Sequence, residues 1–423
     1  MNIELRPIDQ IKPYDKNPRH NDEAVDAVAM SITTFGFRQP IVVDGDGVIV
    51  VGHTRYKAAQ KLGMEEVPVH VATDLTPAQA KAYRIADNQT ATIATWDKDL
   101  LPLELRDLQG MNFDLNTLGF DEEELAQFLP GDPTLGLTDP DAVPEPPDKA
   151  ITQPGDLWIL GNHRLLCGDS SKVEDVDRLL DGAKIQLVNT DPPYNVDVQP
   201  RSNNAIDAGL SSFEHTEPQA GKKGPRKLRP KDRAIANDKM SDEEFDKLLR
   251  RWFGNIARVL EPGGGFYIWG GYGNCGSYPP VLKESELYFS QAVIWVKEHP
   301  VMNRKNFMGN HEWCFHGWKM GAAHKFYGPN NVTDVWSVKK VPSQQMLHLT
   351  QKPVELAVRA MQYSSLAGEN VLDLFGGSGS TLIGAEQTGR KAYLMELDPL
   401  YCDVIVQRWE KFSGKSGHKS AET

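Results

Sequence analysis

The chain reads as an α/β protein, a sheet with helices on both faces, preceded by a small α+β unit. Three observations predict this. Asn370 to Leu374 is an apolar strand that runs into the glycine-rich turn Phe375-Gly376-Gly377-Ser378-Gly379-Ser380 and then into a helical stretch from Thr381 to Gln387. Ile185 to Thr190 is a second apolar run, and Asp191-Pro192-Pro193-Tyr194 ends it at once. Between these two stretches strands and helices alternate.

Residues 1–95 read as the small unit. Asn17-Pro18-Arg19 precedes a helix from about Glu23 to Phe35. Ile41-Val42-Val43 and Val48-Ile49-Val50-Val51 flank Asp44-Gly45-Asp46-Gly47 as a hairpin, and Gly52-His53-Thr54-Arg55 then opens a helix. Thr76 and Pro77 start another, a hydroxyl cap with proline in the first turn, running to about Asp87. This arrangement resembles the N-terminal domain of the ParB family. Gly52-His53-Thr54-Arg55 stands in place of that family's Gly-Glu-Arg-Arg nucleotide-phosphate motif. His53 and Thr54 replace an acidic and a basic residue, which speaks against carrying over cytidine triphosphate binding. The turn keeps three readings: a helix cap, a contact to DNA or phosphate, and a nucleotide site.

Residues 96–150 read as a connector. Leu100 to Leu129 holds short helices, and Asp121 to Ala150 carries nine acidic residues, one lysine and six prolines, the composition of a solvated linker.

The larger unit spans residues 151–414. The glycine-rich turn lets backbone approach a ligand at a helix N-terminus. It lacks the Lys-Ser/Thr pair of a phosphate loop. The next strand, Lys391 to Leu397, brings Glu396 and Asp398 about 20 residues past the turn, where an acidic side chain binds a ribose hydroxyl pair in Rossmann-like sheets. In Asp191-Pro192-Pro193-Tyr194 the prolines fix φ twice and supply no N–H, so carbonyls there stay free to accept from an amine. Asp191 can accept the other amine hydrogen and Tyr194 can stack on a flipped-out base. Ser241-Asp242-Glu243-Glu244 is a capping box that starts a helix to about Leu260, stopped by Glu261-Pro262-Gly263-Gly264-Gly265. Phe266 to Trp269 and Ala292 to Val296 read as strands, and His299 to Lys340 as irregular, with Trp313, Trp318, Phe326, Tyr327 and Trp336 in it. Residues 415–423 read as a disordered tail.

Taken together, the residues from Gly155 to Gly414 resemble the amino-group DNA methyltransferases that use S-adenosylmethionine, in the permuted group whose catalytic motif precedes its cofactor motif. The resemblance implies a Rossmann-like methyltransferase sheet. Asp191, Pro192, Pro193 and Tyr194 would be catalytic. Asp169, in Leu165-Leu166-Cys167-Gly168-Asp169, would lie near the cofactor's adenine. Lys352 and Pro353, in His348-Leu349-Thr350-Gln351-Lys352-Pro353 ahead of a helix from Val354 to Ser364, would close over its methionine end. Asp373, Phe375, Gly376, Gly377, Ser378, Gly379, Ser380, Thr381, Glu396 and Asp398 would complete the cofactor site. An aspartate rather than a serine at position 191 resembles the branch that modifies adenine N6. Cytosine N4 is the alternative acceptor, and a non-enzymatic ParB-like DNA-binding regulator with an inactive methyltransferase half is the alternative of another class.

A net charge of −12 looks wrong for a DNA-binding protein, but it is unevenly spread. Lys222, Lys223, Arg226, Lys227 and Arg229 lie in a basic run about 30 residues past the catalytic tetrapeptide, suited to phosphate contacts with double-stranded DNA. Residues 197–236 and 299–340 occupy the positions of target-recognition and basic loops in the family. The four cysteines show no Cys-x-x-Cys pair, which argues against a structural zinc and suits a reducing cytoplasm. No apolar stretch of membrane-spanning length appears. A cognate restriction endonuclease and the oligomeric state are left open.

Overall fold

A computed structural model describes residues 3–97, 100–121, 124–125, 128–129, 133–196, 206, 237–301, 306–329, 331–339 and 351–420. The chain forms two compact units, Met1–Leu129 and Pro130–Thr423.

In the first unit, strands β1 (Ile3–Pro7), β2 (Ile41–Val43), β3 (Ile49–Val51) and β4 (Glu66–Val71) form a sheet in the order β1-β4-β2-β3. The predicted hairpin is present: β2 and β3 pair antiparallel, and Asp44 Oδ1 accepts from Asp46 N and Val48 N at 3.1 and 2.9 Å. Gly47, at φ 76°, makes the left-handed step such a turn needs. Ile11, Ile41, Val43, Ile49, Val67 and Val69 form the core under helix His53–Lys61, and helix Val25–Phe35 packs against that helix. Helix Pro77–Ala91 starts from a complete capping box between Thr76 and Gln79.

The second unit is a sheet of β5 (Leu157–Leu160), β6 (His163–Cys167), β7 (Ile185–Thr190), β8 (Leu260–Gly270), β9 (Leu287–Val301), β10 (Gly309–Lys319), β11 (Val335–Ser337), β12 (Asn370–Asp373), β13 (Lys391–Glu396) and β14 (His418–Lys419). Their order is β11-β9-β10-β8-β7-β12-β13-β6-β5-β14. The central run β8-β7-β12-β13-β6 is parallel throughout, and the flanks on either side include antiparallel pairs.

Alternation along the central strands explains why both faces are covered. Leu165, Leu187, Val371 and Leu394 point to the face packed by helices Val354–Ser364, Ser380–Thr388 and Pro399–Ser413. Their neighbours Leu166, Val188, Leu372 and Met395 point to the face packed by helices Val173–Leu180, Asp242–Val259 and Tyr278–Glu284. The capping box predicted at Ser241 and Glu244 starts helix Asp242–Val259.

Three expectations are corrected. The stretch from His299 to Lys340 is not irregular throughout, because β10 pairs with β9 over its length and with β8 from Trp313 to Trp318, and β11 pairs with β9. The tail is not disordered over its described part: β14 extends the sheet beside β5, and the Lys419 ammonium forms an ion pair with Asp156 at the sheet edge. The acidic segment is not a solvated linker from Thr134 to Ala142. Thr134 N and Leu137 N donate to the carbonyls of Gln387 and Phe412, both at 2.8 Å, so this strap lies along the second unit. Pro140 O accepts from the buried Arg408, and Asp141 Oδ1 accepts from Val354 N at 2.9 Å and caps the helix Val354–Ser364.

Candidate active site

β7 and β12 are neighbours, with Leu187 beside Val371 and Val188 beside Leu372, although about 180 residues separate them in the chain. Chain connections leave this pair in opposite directions, β7 towards β8 and β12 towards β13. The crevice at their carboxyl ends is therefore a switch point, where open α/β sheets bind ligands.

At the end of β7 the tetrapeptide is held from several sides. Asn195 adopts φ 58°, and its side chain bridges Met240 by donating to the carbonyl at 3.1 Å and accepting from the amide at 2.9 Å. Asn274 Nδ2 donates to Tyr194 O at 3.3 Å. Asp191 Oδ1 accepts from the Tyr194 hydroxyl at 2.7 Å, and Asp191 Oδ2 accepts from Lys352 Nζ at 2.6 Å. Burial pushes the Asp191 carboxyl up, opposed by the Lys352 ammonium. Burial disfavours the Lys352 ammonium too, but the Asp191 and Glu312 carboxylates outweigh it and hold the lysine charged. Glu312 lies 3.1 Å from Lys352 Nζ and also pairs with Lys297. Burial works against the Glu312 carboxylate, yet the two ammonium groups pull its pKa down to about 2.

The glycine-rich turn follows β12. Asp373 Oδ1 accepts from Thr190 Oγ1 at 2.8 Å and from Phe375 N at 3.0 Å, tying the two strand ends together. Gly376 N donates to Met395 O, and Gly377 N donates to Glu396 Oε2 at 2.8 Å. Glu396 Oε1 accepts from Asp398 N at 2.9 Å. Burial raises the carboxyls of Asp373 and Glu396 to about 7 each. The Phe375 ring stands edge-on to Trp252, with centroids 4.8 Å apart.

All the predicted catalytic and cofactor residues line one cavity except Gly379. Gly379, at φ 86°, instead ends the turn in a left-handed step against Ile405. Thr381 lines the cavity while accepting from Asn189 at 3.0 Å, and Ser378 accepts from Arg408, so both also brace the turn. The Lys352 ammonium, expected at the cofactor, reaches the Asp191 carboxylate. Sequence reading missed Glu312, Lys297, Arg408 and Asp141. Lys222, Lys223, Arg226, Lys227 and Arg229 lie outside the described residues.

The cavity is strongly acidic. Asp169, Asp191, Asp238, Asp373, Glu396 and Asp398 line it, and Lys352 is the one basic residue among the described lining groups. A phosphorylated nucleotide would meet repulsion there, whereas a ligand bearing positive charge and a sugar diol would be favoured.

In the first unit the Gly-His-Thr-Arg side chains are engaged internally. His53 Nε2 accepts from Tyr14 N at 3.2 Å, and burial lowers the His53 pKa, as fits a neutral acceptor. Thr54 Oγ1 accepts from Asn21 Nδ2 at 3.1 Å, and Arg55 Nη1 donates to the carbonyls of Gln39 and Pro40 at 3.0 and 2.7 Å. Of the three readings of this turn, a structural one is favoured by these bonds. Among the described residues of the whole chain, no group of histidine, cysteine and acidic side chains could hold a metal.

Residues 185–407 match the DNA methylase family model, residues 2–88 the ParB N-terminal domain, and residues 99–154 the ParB-methyltransferase HTH domain. The ParB-like nuclease domain-containing protein YnaK of Escherichia coli K12 is 40% identical over 80 residues, which cover 19% of this chain and 92% of YnaK. The type II methyltransferase M.HinfI of Haemophilus influenzae is 26% identical over 191 residues, 40% of this chain, and the chain spans about half its length (53%). The crystal structure of an M1.HpyAVI–SAM complex aligns with 58% of this chain and 97% of its own, at 20% identity and a TM-score of 0.42. Since the methylase match alone takes in more than half of its residues, the chain belongs to the DNA methylase family, and it carries a ParB N-terminal domain ahead of the methylase.

Proposed function

We propose that this protein transfers a methyl group from S-adenosylmethionine to the N6 amino group of adenine in a short sequence of double-stranded DNA. One observation carries the reading: the Asp191 tetrapeptide and the glycine-rich turn, far apart in the chain, open into the same acidic cavity. The donor set fits the cofactor. Glu396 and Asp398 suit the ribose hydroxyls, Asp169 would face the adenine, Asp373 suits a cationic amino acid end, and Phe375, Gly376, Gly377, Ser378 and Ser380 would supply the wall. When bound, the cofactor supplies an electrophilic methyl group on a sulfonium.

The protein's part is to prepare the acceptor. An adenine amine is a poor nucleophile because its lone pair is delocalised into the ring. Accepting its hydrogens at Asp191 and at the Pro192 carbonyl draws the nitrogen towards tetrahedral geometry, while Tyr194 stacks on the extruded base. As positive charge develops on that nitrogen, the carboxylate stabilises it in a dry pocket. The raised pKa of Asp191 suits it to take a proton once transfer is done. In this reading the basic run from Lys222 to Arg229 contacts backbone phosphates, and the protein acts in the cytoplasm, alone or opposite a cognate restriction endonuclease. Among the described residues no helix is long and apolar enough to cross a membrane.

The test is incubation with unmethylated genomic DNA and methyl-labelled S-adenosylmethionine, followed by mass spectrometry of the digested nucleosides. Labelled N6-methyl-2′-deoxyadenosine is expected. Label in cytosine, or in neither base, overturns the reading.

The carboxyls at about 7 give a second expectation. A cationic ligand favours their ionised forms and lowers their pKa in the complex, so binding releases protons near neutrality. Cofactor affinity should therefore be highest above about pH 7 and fall below it by about tenfold per pH unit for each proton released. Titration calorimetry in buffers of different ionisation heat reads this directly. An affinity flat from pH 6 to 8 refutes it.

A further inference from the structure

Asp191 ends a buried four-charge chain whose other three members the reaction described above does not use. Lys352 and Lys297 have side chains only 8% and 7% exposed, and they alternate with Asp191 and Glu312 in the order Asp191, Lys352, Glu312, Lys297. Withdrawing four ions from water costs several kcal/mol apiece before their attraction returns it, and well-packed apolar side chains often serve stability as well. Stability alone is therefore a weak reason for such a chain.

The hydrogen bonds suggest another. Both oxygens of Asp191 are occupied by the protein's own donors, Tyr194 on Oδ1 and Lys352 on Oδ2. The target amine needs one of those oxygens. Lys352 Nζ also donates to Tyr194 Oη at 3.1 Å and lies 3.1 Å from Glu312 Oε2, a buried oxygen that makes no hydrogen bond of its own among the described residues and so has an open acceptor site beside the ammonium. If the amine takes Oδ2, the ammonium keeps Glu312 and stays neutralised.

We propose that Lys352 and the target amine compete for the same oxygen of Asp191, and that Glu312, braced by Lys297, is the second seat that lets Lys352 yield. This rests on the methyltransferase reading. Lys352 then belongs to the base subsite, and Glu312 and Lys297 are positioning residues for it. Loss of the Glu312 charge leaves Asp191 as the sole carboxylate on Lys352, and the lysine holds the oxygen the base requires. Tyr194, Tyr278, Cys314 and Asp373, among the described residues, are also titratable groups in electrostatic reach of Asp191.

The experiment measures single-turnover methyl transfer to unmethylated genomic DNA across pH, alongside cofactor affinity by calorimetry. Glu312→Gln should slow transfer by about 10- to 100-fold, in the range that close charge pairs produce, and move the acid limb of the rate profile to lower pH. Cofactor affinity should change by less than about threefold, since neither Glu312 nor Lys297 is among the residues that line the cavity. The double variant Glu312→Gln with Lys352→Met should recover much of the rate, because it removes the competitor. A structural role would make the double variant worse than either single one. Should Glu312→Gln fail to bind cofactor, Glu312→Asp, which keeps the charge but shortens its reach, should show an intermediate loss. A full rate in Glu312→Gln, or no recovery in the double variant, overturns the proposal. If the wild-type protein labels no base, the methyltransferase reading itself fails, and that outcome is separate from any difference among variants.

Discussion

Asp191→Ala should lower methyl transfer by about 10³-fold while cofactor affinity stays near the wild-type value. Removing one preorganised group from a developing charge typically costs about 10²–10³ in rate, and here the alanine also removes the acceptor that shapes the amine. Folding should survive, because Lys352 retains Glu312 at 3.1 Å and the tetrapeptide backbone remains held through Asn195 and Asn274. Single-turnover rates with labelled cofactor, paired with calorimetry, separate the two quantities. A variant that keeps a tenth of the rate would remove Asp191 from the chemistry.

Glu396→Ala should have the opposite profile, a collapse in cofactor binding. Its carboxylate accepts from the amides of Gly377 and Asp398 and faces the cavity. Hydrogen bonds to a charged group contribute about 1.5–3 kcal/mol each. Losing the anchor of the turn together with the proposed ribose contacts should weaken affinity by roughly 10²–10³-fold. Glu396→Gln, which retains an acceptor for one amide, should fall between. Affinity within threefold of wild type in Glu396→Ala would place the cofactor elsewhere.

Legibility in the sequence followed local signals. Helix Val354–Ser364 and the Ser241 capping box were readable because caps and apolar spacing are written in adjacent residues. β10 was not, because its faces do not divide into buried apolar and exposed polar. Glu312 is held among lysines, and His316 stacks on Tyr267 at 4.3 Å, with burial lowering its pKa to about 4. Polar side chains that face inward read as surface until their partners are known. The Asp191 tetrapeptide and the glycine-rich turn were legible as separate pieces, and their meeting was implied by resemblance. The links that join them, Thr190 to Asp373 and Lys352 to Asp191, span more than 150 positions each and leave no local trace.

The strap from Thr134 to Ala142 bears on how such a protein is recombined. Its composition invites a cut just before Leu157, where the sheet begins, as though whatever precedes could be exchanged like a cassette. Yet Pro140 satisfies Arg408, which in turn supports Ser378 of the glycine-rich turn, and Asp141 caps the helix that follows Lys352. A crossover there would separate the methylase from a piece of its own scaffolding. Viable chimaeras have to be joined upstream of Thr134, so the acidic stretch travels with the catalytic half by inheritance even though it looks like a tether.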